Sequence, residues 1–226
     1  MSSRDAVLAS IRRSLGVSGR EAPRRAAIAE RLNRHPRGVV PSRGQLQSKE
    51  RLALFRSMVE LAAGTLDEVL RPEDVPAAVA ALLRAHNLPL ALRRGDDPRL
   101  AAVPWERERT LEIATGPTDG SDLVSVSHAF GAAAETGTLV LTSGRDNPTT
   151  LNFLPDTHVV VVNADDIAGD YETLWDRLRG TFGAGTMPRT VNWITGPSRT
   201  ADIEQTLILG AHGPRRLHVI VVGQPS

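Results

Sequence analysis

Hydroxyl, guanidinium, carboxylate and imidazole side chains lie close together in the run GPSRTADIEQTLILGAHGP, residues 196–214. Small-residue turns begin and end this run, and an apolar segment flanks it on each side. Groups of this kind bind phosphate or carboxylate through charge-assisted hydrogen bonds, so we predict a small anionic ligand. The candidate ligand-binding residues of this run are Gly196, Ser198, Arg199, Thr200, Asp202 and His212.

The first of these turns follows a predicted strand over 191–195, and a helix is expected to begin near Ser198 to Asp202. In open α/β sheets the ligand crevice lies at the carboxyl ends of the strands. A helix N-terminus there would present free N–H groups and a positive dipole end to an anion. The alternative is that Ser198 or Thr200 only caps the helix, with Asp202 as a first-turn acid.

A second candidate site is the small-residue run that contains Glu135 and precedes the apolar segment 139–142. A carboxylate at such a turn could act as a general base or as a nucleophile in acyl transfer, so Glu135 is the candidate catalytic residue. Thr136, Gly137 and Thr138 are candidate ligand-binding residues beside it. The alternative is an ordinary hairpin in which Gly137 adopts a positive φ.

His128 is a further candidate ligand-binding residue, because it ends a half-buried strand on the same face as Val124 and Val126. A structural role is the alternative. The histidines do not show the close paired spacing of a metal site, so no metal is predicted. Nucleotide-binding and serine-hydrolase glycine motifs do not occur, which disfavours nucleotide hydrolysis and triad hydrolysis.

Strands alternate with helices along the chain, and the run THVVVVN at 157–163 requires burial on both faces. These patterns predict an open α/β sheet that is largely parallel, and an antiparallel hairpin or meander within 110–142. Predicted strands lie at 65–70, 88–92, 111–114, 123–127, 139–142, 157–163, 191–195 and 217–222. Predicted helices lie at 3–15, 48–64, 72–86 and 165–178.

The N-terminal residues 1–47 are predicted to form a helix and then an extended arm over 17–47, and residues 48–226 form the α/β domain. The arm is rich in Arg and Pro but lacks aromatic stacking platforms, so nucleic-acid binding is disfavoured. The 226 residues contain no cysteine, which excludes disulfides and cysteine-ligated clusters within the chain. No apolar run approaches the length of a membrane span, and we expect a cytoplasmic protein.

The sequence resembles the lactate utilisation protein C family, which is built on the LUD domain. The resemblance is close in AETGTLVL at 134–141 and in GPSRTADIE…LGAHGP within 196–214, and looser over most of the chain outside 17–47. It implies a fold related to the sugar-phosphate isomerases and CoA transferases, which is a three-layer α/β/α arrangement with a mostly parallel sheet. It also implies a role in oxidising L-lactate to pyruvate beside partner proteins that carry iron–sulfur clusters.

Because this chain has no cysteine, we expect no cofactor in the chain and iron–sulfur clusters only in its partners. The first functional hypothesis is therefore an accessory subunit that binds a small carboxylate or a partner surface at a cleft between Glu135 and Arg199. The alternative is a transferase or isomerase type of enzyme that acts on a phosphorylated or CoA-linked substrate with Glu135 as base or nucleophile. The sequence leaves a homo-oligomer open.

Overall fold

The computed structural model describes residues 3–183, 185–200, 208–210 and 212–225. These residues form two compact units, Met1–Val39 and Val40–Ser226. Within the described residues, no helix is both long enough and apolar enough to cross a membrane.

The first unit consists of two helices, α1 (Ser3–Leu15) and α2 (Ala22–Arg34). The prediction of α1 is confirmed, whereas the prediction of an extended arm from residue 17 is wrong where α2 forms. Glu21 stabilises the turn before α2, because its carboxylate accepts hydrogen bonds from the backbone N–H and hydroxyl of Ser18 and from Gly19 N–H. These hydrogen bonds lower the pKa of Glu21 to about 2, and the bond from the Ser18 backbone N–H makes the largest contribution.

The second unit alternates helices with strands. Its helices are α3 (Ser48–Leu61), α4 (Val75–Ala85), α5 (Pro98–Ala101), α6 (Thr150–Phe153) and α7 (Tyr171–Phe182). Its strands are β1 (Thr65–Val69), β2 (Ala91–Arg94), β3 (Glu112–Thr115), β4 (Val124–His128), β5 (Gly131–Ala133), β6 (Thr138–Thr142), β7 (Thr157–Asn163), β8 (Ile167–Ala168), β9 (Val191–Thr195), β10 (Arg199–Thr200), β11 (Ile208–Leu209) and β12 (Arg216–Val222).

The main sheet has six strands in the order β1-β12-β7-β4-β2-β3, and every pairing in it is parallel. Two inner strands, β7 and β12, are buried along nearly their whole length, and successive side chains of a strand point to opposite sides, so both faces are covered. On one face Val160 and Val162 pack in the cluster that contains Phe55 of α3. On the other face Val159 and Val161 join a different cluster, which includes residues of α4 and α5. The predicted three-layer class with a parallel sheet is confirmed.

A second sheet of four strands has the order β8-β5-β6-β9. Its core strands β5 and β6 form the antiparallel hairpin predicted within 110–142, and Gly137 in its turn has φ 68°. One side of this sheet contributes to the α3 cluster, and the other packs against α7. The rings of Trp175 and Trp193, with centroids 4.9 Å apart and planes tilted by 41°, join α7 to β9.

Strand β9 pairs antiparallel with β6 and belongs to this second sheet. The prediction that 191–195 ends at the carboxyl edge of the main sheet is therefore wrong. Apolar alternation indicates which face of a strand is buried, but it does not identify the strand's partner.

Two further expectations about local structure differ from the fold. The helix predicted at 165–178 begins only at Tyr171, because Asp170 caps it by accepting the Thr173 N–H at 2.9 Å, and β8 precedes it. Residues 42–44, expected in the arm, form a short 3-10 helix, and the Gln45 amide donates to Asp170 at 2.9 Å. Gly44 lies close to the Cβ of Glu135. Part of the predicted arm is therefore packed beside the turn that contains Glu135.

Candidate functional site

The two turns of the run 196–214 are brought into direct contact. The Ser198 N–H donates to the Pro214 carbonyl at 2.9 Å, and the Gly210 N–H donates to the Ser198 carbonyl at 2.9 Å. Between them, β10 pairs antiparallel with β11. The helix predicted to begin near Ser198 is therefore wrong for Arg199 and Thr200, which form a strand. Asp202 lies outside the described residues.

The first turn of this run is held against the end of α3. Gly196 has φ 70°, and a side chain at this position would collide with the backbone carbonyl of Ala62. The Arg199 guanidinium donates to the same carbonyl. The requirement for glycine at 196 thus combines a left-handed backbone with a close approach to the end of a helix.

A cavity of about 280 Å³, which we call the motif cavity, lies between the two turns, β9 and the amino-terminal ends of β7 and β12. It is at the opposite edge of the main sheet from the predicted crevice. It is lined by Asn152, Phe153, His158, Trp193, Ile194, Thr195, Gly196, Pro197, Ser198, Arg199, His212, Gly213, Pro214 and Leu217.

Asn152 and His158 provide the buried polar groups of the motif cavity, and both are connected to Ser127. The Ser127 hydroxyl donates to Asn152 Oδ1 at 3.3 Å, and His158 Nε2 lies 3.0 Å from the same hydroxyl oxygen. Since the serine proton is directed to Asn152, the imidazole proton must be on Nε2. His158 Nδ1 is then a bare acceptor, and Asn152 Nδ2 is a donor. Neither of these atoms has a hydrogen-bond partner among the described residues.

His158 is neutral at physiological pH. It is fully buried, and this desolvation lowers the pKa of its imidazole to about 3. Arg199 provides the formal positive charge of the motif cavity. The side chains of Arg199 and His212 are both exposed. No carboxylate occurs among the described lining residues. The cavity thus combines one cation and an amide donor with one neutral nitrogen acceptor, which suits an anion that also carries a hydroxyl group.

Glu135 lies outside the lining of the motif cavity. It is buried, its Oε1 accepts the N–H of Tyr171 at the start of α7 at 3.1 Å, and its Oε2 has no partner among the described residues. The structure therefore does not bring Glu135 and Arg199 together in this cavity. The two regions are connected by the pairing of β6 with β9 and by the hydrogen bond of 2.6 Å between the hydroxyls of Thr138 and Thr195.

The other predicted residues of the Glu135 turn have structural contacts. Thr136 and Thr138 share hydrogen bonds with the Tyr171 hydroxyl, at 2.9 and 2.7 Å. Gly137 approaches the backbone of α3 so closely that a Cβ would lie 2.6 Å from the Val59 nitrogen. His128 is buried at the carboxyl end of β4 and lines a different cavity. No cluster of three or more metal-ligating side chains occurs in the part of the chain that the structure describes.

Sequence reasoning did not select Asn152, His158 or Ser127. The detectable signal was a polar residue in an otherwise apolar strand, since His158 is the second residue of THVVVVN. Such a residue in a strand buried on both faces must have polar partners or line a cavity.

Comparison with known proteins identifies the family of this chain. Residues 82–222 match the LUD domain, and this stretch covers more than half of the chain. The chain belongs to the LUD domain family. The matched residues include β2 to β12, and therefore the second sheet and every described residue of the motif cavity.

Named relatives of this LUD domain include bacterial proteins called lactate utilization protein C. The protein from Geobacillus thermodenitrificans is 31% identical over an alignment of 144 residues that covers 56% of this chain and 60% of that protein. The protein from Bacillus subtilis is 39% identical over 90 residues, which are 39% of this chain and 38% of that protein. The matched parts therefore span less than two thirds of these relatives.

A solved structure shares the fold of this LUD domain. The crystal structure of a DUF162 family protein from Deinococcus radiodurans superposes with a TM-score of 0.59 and 22% sequence identity. The superposition covers 79% of this chain and 99% of that chain. Its agreement supports the three-layer arrangement described above.

Proposed function

We propose that this LUD domain is a ligand-binding component of lactate utilisation, and that the motif cavity binds L-lactate or a closely related 2-hydroxy acid. The observation that carries the ligand assignment is the pair of unpartnered polar atoms, Asn152 Nδ2 and His158 Nδ1, on two buried residues that line the cavity. The names of the relatives support the pathway.

The groups of the motif cavity are complementary to the two functional groups of lactate. The lactate carboxylate would accept hydrogen bonds from the Arg199 guanidinium and from Asn152 Nδ2. The lactate hydroxyl would donate to His158 Nδ1. An unpartnered buried polar group costs about 1–3 kcal/mol, so a ligand that satisfies both atoms would recover this energy on binding. Pyruvate has the carboxylate but no hydroxyl donor, and we expect it to bind more weakly than lactate.

We propose that the electrons of lactate oxidation are transferred by partner proteins. Oxidation of the lactate hydroxyl to a ketone releases two electrons and two protons, and the chain has no cysteine with which to hold a redox cluster. Iron–sulfur proteins beside this chain would provide the electron acceptor. Within this proposal His158 orients the hydroxyl group, because a pKa near 3 makes its imidazole a weak proton acceptor.

The proposal predicts a growth phenotype that depends on the motif cavity. A strain that lacks this chain should grow poorly with L-lactate as carbon source and normally with pyruvate. The native gene should restore growth on lactate, and a gene with Arg199→Gln should not. Arg145→Gln is the matched control, because Arg145 is exposed and lies outside the cavity lining. Normal growth of the deletion strain on lactate would disprove the role in lactate use.

A second candidate function is a transferase or isomerase type of enzyme in which Glu135 is the base or nucleophile. The observation that favours it is the buried and unpartnered Oε2 of this carboxylate. The other oxygen, Oε1, accepts a hydrogen bond from the Tyr171 N–H at the start of α7. This bond stabilises the negative charge of the carboxylate. Glu135→Gln preserves the shape of the side chain and removes its charge. If a gene with E135Q restores growth of the deletion strain on lactate and a gene with R199Q does not, the binding function is favoured over this candidate.

A further inference from the structure

A second cavity, which we call the carboxyl-edge cavity, lies at the carboxyl ends of the main sheet and has a volume of about 330 Å³. It is separate from the motif cavity, which lies at the amino ends of β7 and β12. Its polar lining residues are Glu73, Arg99, His128 and Asn163. Its aliphatic lining residues are Val75, Ala102, Val103, Val161 and Val222.

The connectivity of the sheet marks this edge as a ligand crevice. From β2 the chain moves outward to β3, whereas from β4 it moves in the opposite direction to β7. Adjacent strands β2 and β4 therefore form a topological switch point, at which the loops following the two strands diverge. Asp97 and Arg99 follow β2, and His128 ends β4, so these side chains flank the switch point.

Arg99 is held across this switch point in a fixed orientation. Its Nε and one Nη atom donate to the two carboxylate oxygens of Asp97, at 3.0 and 2.7 Å, and the other Nη atom donates to the Ala129 carbonyl at 3.2 Å. A guanidinium has five N–H groups, so one remains on each Nη atom. This pair can bind two oxygens of a carboxylate. Burial alone would raise the pKa of Asp97, but the bonds from Arg99 lower it, so the carboxylate stays charged.

His128 contributes a hydrogen-bond acceptor beside this cation. Its Nδ1 lies 2.8 Å from the Ala129 carbonyl, which can only accept, so Nδ1 carries the proton. Burial, together with the charge of Arg99, lowers the pKa of His128. The imidazole is therefore neutral at physiological pH, and its Nε2 is a bare nitrogen that can accept a hydroxyl proton in a hydrogen bond.

We infer that the carboxyl-edge cavity binds a 2-hydroxy carboxylate with an aliphatic side chain larger than a methyl group. The Arg99 pair would bind the carboxylate, His128 Nε2 would accept the hydroxyl proton, and the aliphatic residues would contact the side chain. The volume lies at the lower end of the range for small-molecule pockets and accommodates such a side chain. This inference does not depend on the ligand of the motif cavity.

The test is a titration of the complete chain with 2-hydroxy-3-methylbutyrate, followed by calorimetry and by ¹⁵N NMR of the histidine side chains. The His128 signals are assigned with a His128→Gln variant. We expect the Nε2 signal of His128 to move, and 3-methylbutyrate, which lacks the hydroxyl, to bind roughly tenfold more weakly. Arg99→Lys keeps the charge but loses the paired N–H groups, and should also weaken binding roughly tenfold or more. Arg199→Gln should leave this affinity unchanged.

Three results would overturn the inference. The first is an unmoved His128 signal in the native chain, which requires no variant to fold. The second is equal affinity for the hydroxy acid and for 3-methylbutyrate or inorganic phosphate, which would indicate a site for any anion. The third is unchanged affinity in a folded R99K. Loss of binding in R199Q with retention in R99K would assign the hydroxy acid to the motif cavity, and so overturn the inference without affecting the proposed function.

Discussion

The imidazole of His158 is paired with the hydroxyl of Ser127, with 3.0 Å between Nε2 and Oγ, in the buried layer between the main sheet and α6. Because the serine donates onward to Asn152, this contact determines which nitrogen of His158 carries the proton. The bare Nδ1 is a consequence of that pairing. A hydrogen-bond relay of two buried residues thus determines what the motif cavity offers to a ligand.

His158 should make the protein sensitive to acid. The pKa of His158 is about 3 in the folded protein because of burial, whereas an unfolded histidine has an ordinary pKa of about 6.5. The unfolded state therefore takes up the proton first as pH falls. Stability is unaffected by this group above pH 6.5 and decreases as pH falls from 6.5 toward 3, by up to roughly 1.4 kcal/mol for each pH unit.

Urea unfolding of the native chain and of His158→Asn between pH 4 and 8 measures this effect. H158N should be less stable at neutral pH, because the bond to Ser127 is altered, but its free energy of unfolding should fall less steeply with acid. His35→Asn is the control and should follow the native pH dependence, because asparagine tolerates the φ of 44° at this position. An equally steep decrease in H158N would show that His158 does not stay neutral in the folded protein.

Gly137→Ala should destabilise the chain severely. The residue has φ 68°, and an added Cβ would lie 2.6–3.0 Å from backbone atoms of Met58 and Val59. Gly120→Ala separates the two causes, since Gly120 also has a positive φ but no atom lies within 4 Å of its Cβ position. We expect about 1–2 kcal/mol of destabilisation for G120A, from the backbone alone, and a larger loss for G137A in denaturant unfolding. Equal losses would disprove the close packing of this turn on α3.

Tyr171→Phe should weaken the connection between α7 and the second sheet. The phenol bonds to the hydroxyls of Thr136 and Thr138, and Thr138 also bonds to Thr195 of β9. Loss of one partly buried hydroxyl from this network should cost about 1–2 kcal/mol, and the melting temperature should fall by roughly 2–8 °C. Thr195→Val and the double variant complete a cycle. Strictly additive losses would show that the two ends of the network are not coupled.

The class of fold was predictable from local patterns, whereas the assignment of strands to sheets was not. Four consecutive valines in β7 require a strand buried on both faces, and alternation with helices predicts a layered parallel sheet. The partner of 191–195 depends on contacts with residues 138–142, about fifty positions away in the chain. Alternating polarity is the same for either sheet, so the sequence pattern could not distinguish them.

The candidate site was predicted in part. The composition of 196–214 indicated a ligand cavity, and the two turns do line one. The predicted helix was wrong at Arg199 and Thr200 because Gly-Pro-Ser followed by an acid resembles a helix start, whereas the pairing of these two residues with 208–209 depends on a long-range contact. Asn152, His158 and Ser127 come from separate elements, and only the packing of α6 on β4 and β7 brings them together.

The most direct test of the central claim is calorimetric binding of L-lactate to the purified chain at pH 7. We predict that the native chain and the control Arg145→Gln bind lactate equally, and that Arg199→Gln binds it roughly tenfold or more weakly, because a charge-assisted hydrogen bond is lost. Propionate should also bind more weakly, because it lacks the hydroxyl group that would donate a hydrogen bond to His158 Nδ1. Absence of lactate binding, or equal binding by R199Q and the native chain, would contradict the account.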